Sequence, residues 1–140
     1  MRATALIAAL GLSLAACGAD DKQERSNAPR PPTPINVTAA ISDSRVSVSP
    51  RTFGAGPIVV IVSNQTPSPQ TLTFETEEIG GAEPGLKQST TPIDPRGTTT
   101  LQVDVREGTY AVSTRDGGIE PATVRVSGKR PSAQDELLMP

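Results

Sequence analysis

From Ile35 onward, apolar and polar residues alternate with a period of two. Ile35, Val37, Ala39 and Ile41 alternate with Asn36, Thr38 and Ala40, and Val46 and Val48 with Ser47 and Ser49. Leu72 and Phe74 alternate with Thr71, Thr73 and Glu75, and Leu101, Val103 and Val105 with Gln102 and Asp104. Tyr110 and Val112, then Ala122, Val124 and Val126, continue the rhythm. Successive side chains of a strand point to opposite faces, so this alternation predicts half-buried strands. Ile58–Val62 is apolar at every position and predicts a central strand covered on both faces.

Turn-forming residues separate these runs. Asn64-Gln65-Thr66-Pro67-Ser68-Pro69, Gly80-Gly81, Asp94-Pro95-Arg96-Gly97, Glu107-Gly108 and Asp116-Gly117-Gly118 all have turn composition. No stretch after residue 16 sustains a period of 3.6, so helices are not expected there. Many short strands at this spacing predict an all-β domain over Ile35–Ser127, a Greek-key β-sandwich. Ser127-Gly128-Lys129-Arg130-Pro131 reads as the exit from the sheet, and residues 128–140 as a loose tail in which Leu137, Leu138 and Met139 are the apolar residues able to dock.

The amino-terminal part has a different texture. Met1 and Arg2 make a short positive start, and Ala3–Leu14 is apolar apart from Gly11 and Ser13. This is the length of a signal-peptide core, well short of the about 20 residues that span a membrane. It ends in Leu14-Ala15-Ala16-Cys17, which resembles the bacterial lipobox. The resemblance implies cleavage after Ala16 and attachment of diacylglycerol to the Cys17 thiol. Each buried CH₂ contributes about 0.8 kcal/mol, so two or more acyl chains hold a protein stably at a membrane. Cys17 is the sole cysteine, so no internal disulfide is available. Residues 1–16 then read as a signal peptide and residues 17–34 as the lipidated cysteine followed by a disordered, Pro-rich tether. Gly18–Pro34 has no aliphatic side chain larger than Ala and cannot bury enough surface to offset its ordering entropy. The implied location is the extracytoplasmic face of a membrane, at the cell surface or in a periplasm.

Composition removes most chemistries. The 140-residue chain has no histidine and a net charge of −2. It therefore lacks the usual acid–base group and the commonest metal ligand, and it has no basic field for nucleic acid. No Gly-x-Ser-x-Gly elbow or Ser-x-x-Lys motif is present to activate a serine, so the chain does not read as an enzyme. Glu75, Glu77, Glu78 and Glu83 form the densest acidic run, whose oxygens suit a hard cation, but the alternation already places Glu75 and Glu77 on the solvent side. Asn36-Val37-Thr38 and Asn64-Gln65-Thr66 match the N-glycosylation acceptor, which a bacterial envelope protein seldom uses.

The order of motifs in the domain resembles a cupredoxin-like domain. The resemblance rests on Val46 and Val48 before Pro50, Phe53 in an x-Phe-x-x-Gly-Pro step into the strand at Ile58, and Asn64 at that strand's end. It continues through Pro95-Arg96-Gly97-Thr98-Thr99 and Glu107-Gly108-Thr109-Tyr110. An immunoglobulin-like sandwich is the alternative. Gly108-Thr109-Tyr110 looks like a tyrosine corner, which would make Tyr110 a structural residue with its phenol tied to nearby backbone. Cupredoxins hold copper with two histidines, a cysteine and usually a methionine. Where the resemblance would place those ligands, this chain has Gln70, Thr114, Gly117 and Ala122. The expectation is therefore a copper-free scaffold with no cofactor, displayed on its anchor as a noncatalytic binding or interaction module with an envelope partner. Loops Asn64–Pro69, Glu83–Asp94 and Arg115–Pro121 would carry the contacts. The alternative is an envelope metal-handling protein using carboxylate ligands on the same scaffold.

Overall fold

The computed structural model describes residues 30–77 and 85–132. Eight strands build the domain: β1 Ile35–Ile41, β2 Val46–Ser49, β3 Thr52–Asn64, β4 Leu72–Thr76, β5 Lys87–Ser89, β6 Thr98–Val105, β7 Gly108–Thr114 and β8 Ala122–Lys129. They form two layers that share β3. The first sheet runs β2-β1-β3-β6, and the second runs β3-β8-β7-β4-β5.

The strand β3 belongs to both layers because it turns a corner at Gly54–Gly56. Thr52–Ala55 pair with β8, with a register shift between Gly54 and Ala55, and Gly56–Ser63 pair with β6. Gly56 has φ +127°, where side chains other than glycine are strained. A Cβ there would stand 2.6 Å from Pro32 Cγ and 2.9 Å from Arg130 Nη2. Glycine supplies both the conformation and the room.

Two of the pairings are parallel, β1 with β3 and β3 with β8, while the rest are antiparallel. An immunoglobulin sandwich is built from two antiparallel sheets, so the mixed pairing departs from that alternative. The core lies between the layers. β1, β3 and β6 contribute Val37, Ile41, Ile58, Val60, Val62, Val103 and Val105; β4, β7 and β8 contribute Leu72, Phe74, Tyr110, Val112, Val124 and Val126. All are inward positions of the alternation, and β-branched side chains suit a pleated surface.

Three expectations need correction. Ile58–Val62 is central, between β1 and β6, but it is not covered on both faces: Ile58, Val60 and Val62 are buried, whereas Val59 and Ile61 are half-buried on the outer face. Those two follow strand propensity and not burial, since no described element packs on that face. The sheet does not end at Ser127, because β8 continues to Lys129 and Arg130 N–H still donates to Ala55 O at 3.3 Å. Gly128 and Lys129 are both exposed, so the alternation carries no signal for them. Finally, the last residues of the Pro-rich segment are not loose. Arg130 donates to Thr33 O (2.7 Å), Ala55 O (3.2 Å) and Pro57 O (2.6 Å), and Ser132 Oγ donates to Arg30 O (2.7 Å). Residues 30–34 are irregular in structure but fastened to the corner of β3.

Candidate functional site

At the end of the sandwich where β1 and β3 finish, two connections, β3–β4 and β5–β6, converge on Asn64. Its side chain is fully buried. Nδ2 shares its hydrogens among Ser68 O (2.8 Å), Ile93 O (3.1 Å) and Asp94 O (3.1 Å). Oδ1 accepts from the Thr66 N–H (3.0 Å) and the Thr66 hydroxyl (2.8 Å). Asparagine can do this because its amide carries donors and acceptor on one rigid plane. Gln70 and Ile93 exchange both backbone bonds, at 3.0 and 2.7 Å, and hold Thr90–Asp94 against the approach to β4.

The β7–β8 connection is folded on itself. Asp116 Oδ1 accepts from the Gly118 N–H (3.1 Å), and Asp116 O accepts from Thr114 Oγ1 (3.2 Å) and the Ile119 N–H (3.2 Å). Ile119 is buried beneath it. Val46 N–H donates to Glu120 O and Glu120 N–H to Ser44 O, which ties this connection to the β1–β2 turn. Between these loops lies an open cleft of about 460 Å³, lined by Ser68, Pro69, Gln70, Pro92, Arg115 and Asp116 among others. A second, smaller hollow of about 270 Å³ crosses the outer face of β1, β2 and β3 at Ala40, Ser47 and Ile61.

The positions that the cupredoxin resemblance assigns to copper fall at this loop end. Gln70 is 8% exposed and lines the cleft. Thr114 is half-buried with its hydroxyl on Asp116 O, Gly117 is exposed, and Ala122 is buried. An amide, a hydroxyl already engaged, a hydrogen and a methyl provide neither thiolate nor imidazole, so this donor set does not fit the copper of that fold. The loops named from sequence do meet here, with one correction. Of the Glu83–Asp94 stretch, Glu83 and Pro84 lie outside the described residues, and Leu86 is hydrogen-bonded to Thr76, at the opposite end of β4 from Leu72, so among the described residues Thr90–Asp94 is the part that reaches the site. The chain has to run the length of β5 between the two ends.

Tyr110 lies away from the cleft, in the core. It is 3% exposed; its hydroxyl donates to Arg106 O (2.8 Å) and accepts from the Arg106 N–H (3.0 Å). Its ring tilts against Phe74 at 5.2 Å. Of the acidic run, Glu75 pairs with Lys87 Nζ at 2.9 Å on the surface and Glu77 is exposed, while Glu78 and Glu83 lie outside the described residues. No group of three or more candidate metal ligands occurs among the described residues. Cys17, the signal-peptide segment, the tether before Arg30 and Leu137–Met139 also lie outside them. Asn64, read from sequence as a turn residue, is the hub of the loop end. The signal available was its place at the end of an apolar strand, followed by Thr66 two residues on.

No known protein family's profile matches the chain, and no curated protein matches it in sequence. Among solved structures it is similar to a multicopper oxidase, mgLAC, at a TM-score of 0.43 and 13% identity. That match covers 76% of this chain and 42% of the oxidase, so the chain spans less than half of that protein's length.

Proposed function

We propose that this chain is a lipoprotein of the bacterial envelope, anchored through Cys17, which displays a copper-free β-sandwich as a noncatalytic binding or interaction module. The observation that carries the reading is Leu14-Ala15-Ala16-Cys17 directly behind an apolar run with a positive start. The donor set at Gln70, Thr114, Gly117 and Ala122 supports the second half, since a scaffold without thiolate or imidazole there has no electron-transfer centre to contribute. Fold alone implies no activity.

The geometry suits display. The chain enters the sandwich beside the β3 corner, where Ile35 pairs with Ile58, and the loop cluster begins where Ile41 pairs with Asn64. At about 3.3 Å per residue the two ends stand roughly 20 Å apart. A tether that enters at the corner joins the domain at the end opposite the loop cluster and leaves that cluster unobstructed. The rim of that cluster, Ser68, Pro69, Pro92 and Arg115, is exposed and available to a partner.

The test is detergent-phase partitioning of the full chain against its Cys17→Ser variant. The wild-type chain is expected in the detergent phase carrying the added mass of acyl chains on Cys17, and the variant without that mass; a wild-type chain that carries no acyl mass refutes the anchor. Native mass spectrometry of the purified chain separates the module from the metal-handling alternative, because a carboxylate-bound cation would add its mass.

A further inference from the structure

The open edge of the first sheet carries an inference independent of the anchor. In the antiparallel β3–β6 ladder, Asn64 N–H donates to Gly97 O at 2.9 Å. Hydrogen-bonded pairs alternate with unbonded ones along such a ladder, so the pairs Val62–Thr99, Val60–Leu101 and Ile58–Val103 are the bonded ones. Pro57, opposite Asp104, agrees, having no N–H to give. Thr98, Thr100, Gln102 and Asp104 therefore turn their backbone N–H and C=O groups outward, away from β3. No described strand pairs with that side of β6. The next outward-facing residue, Arg106, has its N–H and C=O taken by the Tyr110 hydroxyl, which closes the row at that end.

Exposed edges are normally guarded by shortness, proline, lysine or a bulge. The other outer edges follow this rule: β2 has four residues and is followed by Pro50, and β5 has three residues including Lys87. By contrast, β6 has eight residues, no proline, no lysine and no register shift, and Asp104 is its one ionisable side chain. Its sequence, Thr98-Thr99-Thr100-Leu101-Gln102-Val103-Asp104-Val105, is self-complementary when run antiparallel about Leu101. Thr98 then meets Asp104 of a second copy, and Thr100 meets Gln102 of a second copy, so every outward backbone group in the row is satisfied. Asp104 faces a threonine hydroxyl and not its own charge. The two Leu101 side chains meet as an unbonded pair, the closer of the two spacings, and cover apolar surface that is half-exposed in the single chain.

We propose that β6 is a homodimerisation edge, on which a second copy of this chain pairs antiparallel about Leu101 and joins the two first sheets into one. The closed two-fold contact uses the same strand on both copies and leaves no further edge of this kind.

The test is sedimentation of the full chain in density-matched detergent over a wide concentration range, with two variants. Thr100→Pro removes an N–H that β3 does not use, and proline is tolerated on an edge strand in that orientation. Leu101→Lys places two ammonium groups opposite each other across the two-fold. The expected result is a concentration-dependent dimer for the wild type and a monomer for both variants, with circular dichroism of all three unchanged. In a Cys17→Ser background, Leu101→Cys should in addition give a disulfide-linked dimer on mild oxidation that Cys17→Ser alone does not give. A monomer at every concentration, or a dimer that persists in Thr100→Pro with its strand signal intact, overturns the proposal.

Discussion

Tyr110 and Asn64 show how much of a small domain can hang on one polar group in the right place. Tyr110 places its ring on Phe74 and its hydroxyl on both backbone groups of Arg106. Tyr110→Phe keeps the ring and is expected to cost about 1 kcal/mol, the net worth of a typical hydrogen bond. Tyr110→Ala also opens a cavity in the core and should cost ~3–5 kcal/mol. Denaturant melts of the two variants check this ladder, and a flat response to Tyr110→Ala would mean the ring is not part of the core. Asn64 is the harsher case, because it is buried together with Thr66 and Ile93. Asn64→Ala leaves the Thr66 N–H without its acceptor and takes one of two donors from each of the Ser68, Ile93 and Asp94 carbonyls, which keep the Thr66 hydroxyl, the Gln70 N–H and the Gly97 N–H. A buried group left unsatisfied costs ~1–3 kcal/mol, and the lost bonds between the two loops add to it, so the loss should exceed that of Tyr110→Phe. The same burial makes the Asn64-Gln65-Thr66 acceptor unusable in the folded chain, since its amide hydrogens are already shared among three carbonyls. Serial melts that rank Asn64→Ala as no worse than Tyr110→Phe would contradict the hub.

Among the elements, β3 is the one that makes two sheets into a sandwich. Its corner is held from outside by Arg130, whose guanidinium bonds Ala55 O, Pro57 O and Thr33 O. Gly54 and Gly56 have no side chains, so Arg130 and Pro32 can lie directly on the backbone. Gly56→Ala is expected to destabilise the domain by ~1–3 kcal/mol through strain at its positive φ, and by more where Pro32 and Arg130 cannot yield. Arg130→Ala should act differently. It removes bonds at the rim and leaves the core intact, so global stability falls modestly while amide exchange at Thr33 and Ile35 speeds up. Hydrogen exchange resolved by residue separates the two. Uniform acceleration across β1 and β3 in Arg130→Ala would show that the clamp holds the whole fold and not only the incoming chain.

For the molecule as a whole, the decisive contrast lies between scaffold and site. The loops that the cupredoxin resemblance points to do converge, and they converge on an asparagine, a glutamine and a tight Asp116 turn. Copper added to the purified full chain is expected to give no intense visible band of a copper–thiolate bond. Gln70, Thr114, Gly117 and Ala122 have no sulfur, and Cys17, if acylated as proposed, has no free thiol. Titration followed by absorbance checks this, and such a band would require a ligand set elsewhere in the chain.

The alternation of apolar and polar residues determined by itself which side chains are buried in β1, β2, β4, β6, β7 and β8, because a period of two maps directly onto the two faces of a pleated strand. Turn-forming residues marked the connections, and composition excluded histidine chemistry. Tertiary structure alone decided the rest. β5 was invisible, since Lys87-Gln88-Ser89 is exposed throughout and held by backbone bonds to β4. Periodicity names a face but not a partner, so the parallel pairing of β1 with β3 had no local signal. The apolar run Ile58–Val62 declared its face only in the folded chain, where Ile58, Val60 and Val62 are buried and Val59 and Ile61 half-buried. The sequence placed Asn64 at a strand end, but its role depends on carbonyls 29 and 30 residues away, and only folding brings those within reach of its amide.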